Sequence, residues 1–314
     1  MSTAAEFPDL LARMTGREPR RGVPLRDYSN FRIGGPADYF FEAGTRDELR
    51  SALRAARESG LPHYLIGGGC NLLFDDAGFR GLILRNEVRG VALDSSGPRL
   101  AAETGTSLRD LVAFAGGAGL EGIEFMAGIP GSVGGAVCGN AGAFGSCIAD
   151  VLVEALLLGG DDSLRTVTSQ DLGFAYRHSR LKTLPEAVLE AVFELRPGSP
   201  SAIRARMDGS LDLRAKRHPS RDMAYAGSFF KNPPLPDGTR KPAGQLLEQV
   251  GAKEARVGAA AVYSGHANFL YNAGNATARD VLALAALLKK RVKEAFGVDL
   301  EEEVVYVPAS FSGP

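Results

Sequence analysis

The sequence lacks net charge. Its 36 Lys+Arg stand against 37 Asp+Glu, a formal charge of -1 over 314 residues. So balanced a chain presents no basic field for nucleic acid and no acidic tail of the disordered kind. It also lacks long apolar runs. The run 151–160 is broken by Glu154, and nothing approaches the roughly 20 residues that span a bilayer. Glu6, Asp9, Arg13 and Arg17 mark the N-terminus, with no apolar core of a secretory signal, so no membrane association and a cytoplasmic setting are expected. Cysteine is scarce. Cys70, Cys138 and Cys147 are odd in number and form no C-x-x-C pair, which argues against a disulfide framework or a zinc site. No metal is expected, and the three are read as buried free thiols.

Glycine is the residue in excess. It supplies 39 positions, about 12 % where about 7 % is usual. Either part of the chain is low-complexity, or some backbone approaches a partner closely. The length suits about two domains.

The chain reads as alternating helix and strand. Residues 30–43 read as a Gly-Pro turn and an aromatic strand. Thr45 and Glu48 form a capping box before the helical face Leu49, Leu53 and Ala56, and Gly60 stops that helix. A strand at 63–66 runs straight into Gly67-Gly68-Gly69, and 81–85 is a further strand. Ser107 and Asp110 open a second helix, ended by Gly116. Residues 151–195 are strand-rich. The stretch 196–202, RPGSPSA, is the best candidate boundary, and a basic helix over about 203–217 follows it. Thr277 and Asp280 begin a C-terminal helix that Gly297 stops, and 304–307 is a last strand.

Two glycine clusters carry the chemistry. In LIGGGCNLLF (65–74), Gly67-x-Gly69 is followed by Leu72 where a dinucleotide fingerprint needs glycine, so the Rossmann pattern fails. No Walker sequence is present. The second cluster, 122–145, holds eight glycines in 24 residues. A turn needs one or two, so an extended segment packed against a flat ligand or another backbone is expected. Two such clusters point to a large phosphate-bearing cofactor, because backbone N–H groups freed of side chains can surround phosphate oxygens.

The pairing of GGGCNLLF (67–74) with AGIPGSVGGAVCGNAGAFG (127–145) resembles the FAD-binding domain of the vanillyl-alcohol-oxidase type. Three further stretches, YRHSRLK (176–182), AGSFFKNP (226–233) and LEEEVVYV (300–307), are similar to the UDP-N-acetylenolpyruvoylglucosamine reductase family. The matching motifs run from about Asn30 to Val307. Only 50 residues separate Arg177 from Ser228, which resembles the subtype lacking an inserted tyrosine-bearing loop. Three positions depart from the family pattern: Cys70 for a usual Ser, Gln245 for a frequent Lys, and Val305 for a common Arg.

The resemblance implies an α+β fold. Two α/β subdomains, 1–88 and 89–200, would hold FAD non-covalently, and a C-terminal substrate domain, 201–314, would cover it. It implies reduction of UDP-N-acetylglucosamine enolpyruvate to UDP-N-acetylmuramate in peptidoglycan precursor synthesis, with NADPH as hydride donor. The implied cofactor contacts are Gly67, Gly68, Gly69, Cys70, Asn71, Leu72, Gly128, Ile129, Pro130, Gly131, Ser132, Gly134, Gly135, Asn140, Ala141 and Gly142. Arg177, Ser228 and Glu303 are the implied catalytic residues, with Glu301 and Glu302 as rival registers for the glutamate. Tyr176, Lys231, Asn232 and His266 are implied substrate contacts. A monomer is favoured. Two other readings are a different FAD-dependent oxidoreductase or oxidase of the same fold, and a non-catalytic nucleotide-binding regulator. The intact Arg177, Ser228 and Glu303 set argues against both.

Overall fold

The aromatic stretch after Gly34-Gly35 forms the strand Pro36–Ala43. It sits in a four-stranded sheet, antiparallel to Arg20–Pro24 and parallel to Phe79–Asn86, which in turn pairs with His63–Ile66 in parallel. The computed structural model from which these elements are taken describes residues 6–94, 97–220, 222–235 and 239–310. The helix Arg46–Glu58 makes the parallel crossover. Thr45 caps it by accepting from the Glu48 N–H. The Glu48 carboxylate reaches one residue further back than a capping box requires, to the Gly44 N–H. Leu49, Ala52, Leu53 and Ala56 are buried against the sheet, each leucine contributing about 1.5–3 kcal/mol.

A second sheet is wholly antiparallel. Its order is Leu164–Thr168, Leu152–Leu158, Ala187–Glu194, Arg99–Glu103, Val91–Leu93. The central strand Ala187–Glu194 alternates in sequence yet is buried on both faces. Leu189 and Ala187 join the first unit's core, while Val188, Ala191 and Phe193 join the core that also takes in residues of the helices Leu108–Gly117 and Val133–Gly139.

The second glycine cluster differs from expectation. It is not an extended segment. It contains the short helix Val133–Gly139. Ser132 caps that helix by accepting from the Gly135 N–H, and a Cβ on Gly134 would lie 3.1 Å from the Thr104 Cβ. Small residues therefore serve helix-to-strand packing here as well as exposing backbone.

The helix Pro200–Arg217 starts at the proline-rich stretch. Its packing is with the second sheet's unit. Ile203 and Met207 approach Gly116, and Arg206 pairs with Glu121 and Glu124. The C-terminal unit follows. A four-stranded antiparallel sheet, Ala224–Tyr225, Leu270–Asn272, Ala260–Val262 and Arg256–Val257, is covered by the helix Ala278–Phe296. Thr277 and Asp280 form the full capping box of that helix, and Gly297 ends it in the left-handed conformation.

The last strand, Val305–Val307, does not join the C-terminal sheet. It pairs in parallel with Leu72–Phe74, directly after the first glycine cluster. Asp76 adds a second tie, accepting from the Ala278 and Arg279 N–H groups at 2.7 and 3.2 Å, where a carboxylate suits a helix N-terminus. Among the described residues, no helix is long and apolar enough to cross a membrane, and no group of His, Cys, Asp or Glu could hold a metal ion.

Candidate active site

The first glycine loop leaves the strand His63–Ile66 and turns sharply. Gly69 has φ +64°, and a Cβ there would meet the Tyr28 carbonyl oxygen at 1.9 Å. A Cβ on Gly67 would lie 2.1 Å from the Ser132 Oγ, and one on Gly68 3.6 Å from the Gly131 Cα. The two glycine clusters, 60 and more residues apart in sequence, thus touch. Ser107 and Ser132 form an isolated bridge beside them, and the Leu108 N–H donates to the Gly131 carbonyl at 3.0 Å. Gly128 (φ +79°) and Gly131 (φ +140°) need the conformations only glycine adopts freely. Between them the Ile129 N–H donates to Met126, and Pro130 completes the turn.

Asn140 ends the short helix in the left-handed region. Its amide donates to the Ala175 carbonyl, and its Oδ1 accepts from Ala149. Ala141 bonds back to Ala136, and Gly142 pairs with Cys147. Cys70 donates its thiol to the Gly68 carbonyl, and burial pushes its pKa up to about 11. It is a neutral thiol, inert as a nucleophile at ordinary pH. Leu72 opens the strand that receives the C-terminus. Gly67 and Gly68 also line a polar cavity with Asp27, Tyr28, Ser29, Asn30 and Arg85. The cluster pattern pointed to the glycines and missed the residues on the facing turn.

The loop after Ala175 brings the next group. Arg177 has φ +56°, rare for a residue with a side chain. Its Nε donates to the Glu303 Oε1 at 2.5 Å, and the two side chains keep 25 % and 20 % of their exposure. Burial raises the Glu303 pKa, with Arg177, Lys182 and Lys231 opposing. The three glutamates point to three different cations: Glu301 to Lys231, Glu302 to Lys289, Glu303 to Arg177. Ser228 is half-buried, between Gly227 (φ +74°) and Phe229. The Phe229 carbonyl accepts from the Glu303 N–H at 2.7 Å, so Ser228 lies one residue from the backbone that holds Glu303, just before the strand Val305–Val307.

Tyr176 is gathered in with them. Its hydroxyl accepts from the Asn232 N–H, and the guanidinium of Arg240 lies 4.1 Å from its ring centre. Arg240 donates to the Asn232 carbonyl, while the Asn232 side chain caps the helix Ala243–Gln249 through Ala243. His266 lies apart from Arg177 and Glu303 among the described contacts. Its ring meets Phe269 edge-on at 4.9 Å, and its Nδ1 accepts from the Asn268 N–H. Lys182 and Arg240 belong to this cluster as well. Lys182 closes the stretch YRHSRLK, where its spacing gives it no role, and Arg240 lies outside every motif of the sequence.

Similarity to known proteins now bears on the geometry. Residues 37–168 match the model of an FAD binding domain, and residues 218–307 match that of the UDP-N-acetylenolpyruvoylglucosamine reductase C-terminal domain. The UDP-N-acetylenolpyruvoylglucosamine reductase 2 of Symbiobacterium thermophilum is 43% identical over 306 residues, covering 97% of this chain and 96% of its own. The chain belongs to the UDP-N-acetylenolpyruvoylglucosamine reductase family. The reductase of Geotalea uraniireducens is 40% identical, over 94% of this chain and 95% of its own. The crystal structure of the family's enzyme from Thermus caldophilus superposes with a TM-score of 0.76 at 34% identity, covering 92% of this chain and all of that one. The family's fold is the α+β class expected, an FAD-binding domain followed by a C-terminal domain. The abutting glycine loops fit that cofactor: a side chain at Gly67 or Gly69 would collide with Ser132 or Tyr28, so only bare backbone can form this floor.

Proposed function

We propose that this chain reduces UDP-N-acetylglucosamine enolpyruvate to UDP-N-acetylmuramate, using NADPH and non-covalent FAD, in peptidoglycan precursor synthesis. Family membership supports the reaction. The observation that carries the residue assignment is the Arg177–Glu303 pair, with Glu303 tied to the first glycine loop through Asn71.

Residues 67–72, 128–132, 134, 135 and 140–142 would hold FAD, which when bound would supply the hydride relay between NADPH and the vinyl carbon of the enolpyruvyl ether. The protein has two tasks left. Negative charge grows beside the substrate carboxylate as the hydride arrives, and the neighbouring carbon needs a proton. Arg177 serves the first task. Its Nε is engaged by Glu303, and its terminal nitrogens can grip a carboxylate as a fork. A fixed cation beside a developing enolate is worth most where water is excluded. Glu303 fixes the arginine and shares the field it makes. Ser228 serves the second task. A hydroxyl is a weak acid, but the carbon it would protonate is strongly basic, so placement decides more than pKa. Tyr176, Lys231, Asn232 and His266 are assigned to the nucleotide-sugar.

The proposed catalytic unit is a monomer, with Arg177, Ser228 and Glu303 supplied by the same chain. A cytoplasmic setting suits its three free thiols.

The test is optical. The purified protein should be yellow, NADPH should bleach it without air, and UDP-N-acetylglucosamine enolpyruvate should restore the colour. A colourless protein that cannot be loaded with FAD would overturn the flavoenzyme reading. Bleaching without recovery on that substrate would overturn the substrate.

A further inference from the structure

Arg177 holds an unfavourable backbone conformation. A left-handed φ at a residue with a long side chain is unfavourable and persists only where neighbours enforce it. Two of the enforcing contacts are plain. The Ala175 and His178 backbones exchange hydrogen bonds around the turn, at 3.0 and 3.1 Å. The Lys182 Nζ donates to the Arg177 carbonyl at 2.8 Å. Lys182 itself is fixed. It ends the 3₁₀ turn Arg180–Lys182, which follows the fully buried Ser179, whose hydroxyl donates to the Cys138 carbonyl at 2.7 Å. Cys138 belongs to the helix of the second glycine cluster. A continuous chain therefore runs from that helix through Ser179 and Lys182 to the Arg177 backbone, and through the Arg177 side chain to Glu303.

Resting on the reaction proposed above, we infer that Lys182 is a positioning residue: its ammonium clamps the Arg177 carbonyl in the left-handed turn and so aims the guanidinium at Glu303 and the substrate carboxylate. A second effect follows from its charge. Arg177, Lys182 and Lys231 all act on the Glu303 carboxyl in the direction that favours its ionised form, against burial. On its own segment stand Glu301 and Glu302, the first paired with Lys231 and the second with Lys289. Removing Lys182 leaves Glu303 with one cation fewer and its burial unchanged, so its pKa rises.

The experiment compares Lys182→Met, Lys182→Gln and Lys182→Arg as FAD-loaded proteins, reading the two half-reactions separately. Wild type sets the baseline. If wild type does not oxidise its reduced flavin with the enolpyruvyl substrate, the reaction is wrong and the lysine is not at issue. Given that it does, Lys182→Met should keep flavin reduction by NADPH and slow the enolpyruvyl half-reaction by about tenfold or more, since small misplacements at a reacting centre are costly. Its acidic pH limb should move to higher pH. Lys182→Arg, which keeps both donor and charge, should restore rate and limb. If Lys182→Met does not fold, Lys182→Gln, neutral but still a donor, should show the shifted limb alone. A Met or Gln variant with the wild-type rate and limb would overturn the inference. So would an equal loss of both half-reactions with loss of FAD, which marks a merely structural lysine.

Discussion

Arg177 and Glu303 are 126 residues apart, yet the arginine Nε donates to the glutamate Oε1 at 2.5 Å. The arginine rides a turn between strands of the second sheet. The glutamate ends up beside it because the last strand, Val305–Val307, is threaded back to Leu72–Phe74. Asn71 secures the approach by donating its amide to the Glu303 carbonyl at 2.9 Å and accepting from the Val305 N–H at 3.0 Å. The first glycine loop and the candidate catalytic glutamate are thus one backbone unit.

The pair gives a first prediction. Arg177→Lys keeps the charge and removes the planar fork, and those are not equivalent at a carboxylate. We expect flavin reduction by NADPH to survive. Oxidation of the reduced flavin by the enolpyruvyl substrate should slow by about 10²-fold, the order seen when one donor is removed from a developing oxyanion. Stopped-flow absorbance of the two half-reactions separates them, and equal slowing of both would contradict the assignment.

Ser228→Ala tests the proton. General acid catalysis contributes about 10²–10⁴-fold. The variant should bind FAD and bleach with NADPH as wild type does, then turn over at a rate lower by that order. Ser228→Cys keeps a protic group at the same place and should recover part of the loss. If alanine costs nothing, another group delivers the proton.

Local signals in the sequence carried most of the elements and few of their meetings. Thr277-x-x-Asp280 marked the start of the long helix because a capping box acts within four residues. The strands Leu152–Leu158 and Leu164–Thr168 announced themselves by composition and an intervening turn. The second glycine cluster reads as extended in sequence and is partly helical in the structure. Glycine is a poor helix former, and only tertiary packing against Thr104 reveals why a helix forms there. The return of Val305–Val307 to Leu72–Phe74 was equally hidden, since nothing in either strand specifies a partner more than 230 residues away. Resemblance to a family supplied Arg177, Ser228 and Glu303 together. It did not supply Lys182 or Arg240, whose places follow from loop geometry.

Gly67→Ala should push apart the two glycine loops proposed to hold FAD. The new Cβ would sit 2.1 Å from the Ser132 Oγ and 3.0 Å from its Cβ. Overpacking of this kind costs about 1–3 kcal/mol, which thermal unfolding would read as a lowered Tm together with reduced FAD content. Adding Ser132→Ala removes the nearer of the two clashing atoms while forfeiting the cap on Gly135. The double variant should regain part of the FAD content. A Gly67→Ala protein with full flavin and unchanged Tm would show that the two loops separate easily.

The last prediction concerns acid. His218 begins the C-terminal family match and packs its ring on Phe269 at 4.8 Å. Burial first, then the nearby Arg214, His266 and Arg217, push its pKa down to about 4. A depressed folded pKa means that the unfolded chain takes up the proton first as the pH falls from the ordinary histidine value near 6.5. Stability from this group is therefore fully present above about pH 6.5 and is lost as the pH falls toward 4. His266 is shifted in the same direction, again chiefly by burial, so it too favours the unfolded chain as the pH falls. Urea unfolding at a series of pH values should show stability declining across that window in wild type. His218→Gln, which has no proton to gain, should flatten the decline in part, because His266 remains. A variant whose profile parallels wild type from pH 7 to pH 4 would mean that His218 protonates freely in the folded protein and that its packing on Phe269 does not resist the charge.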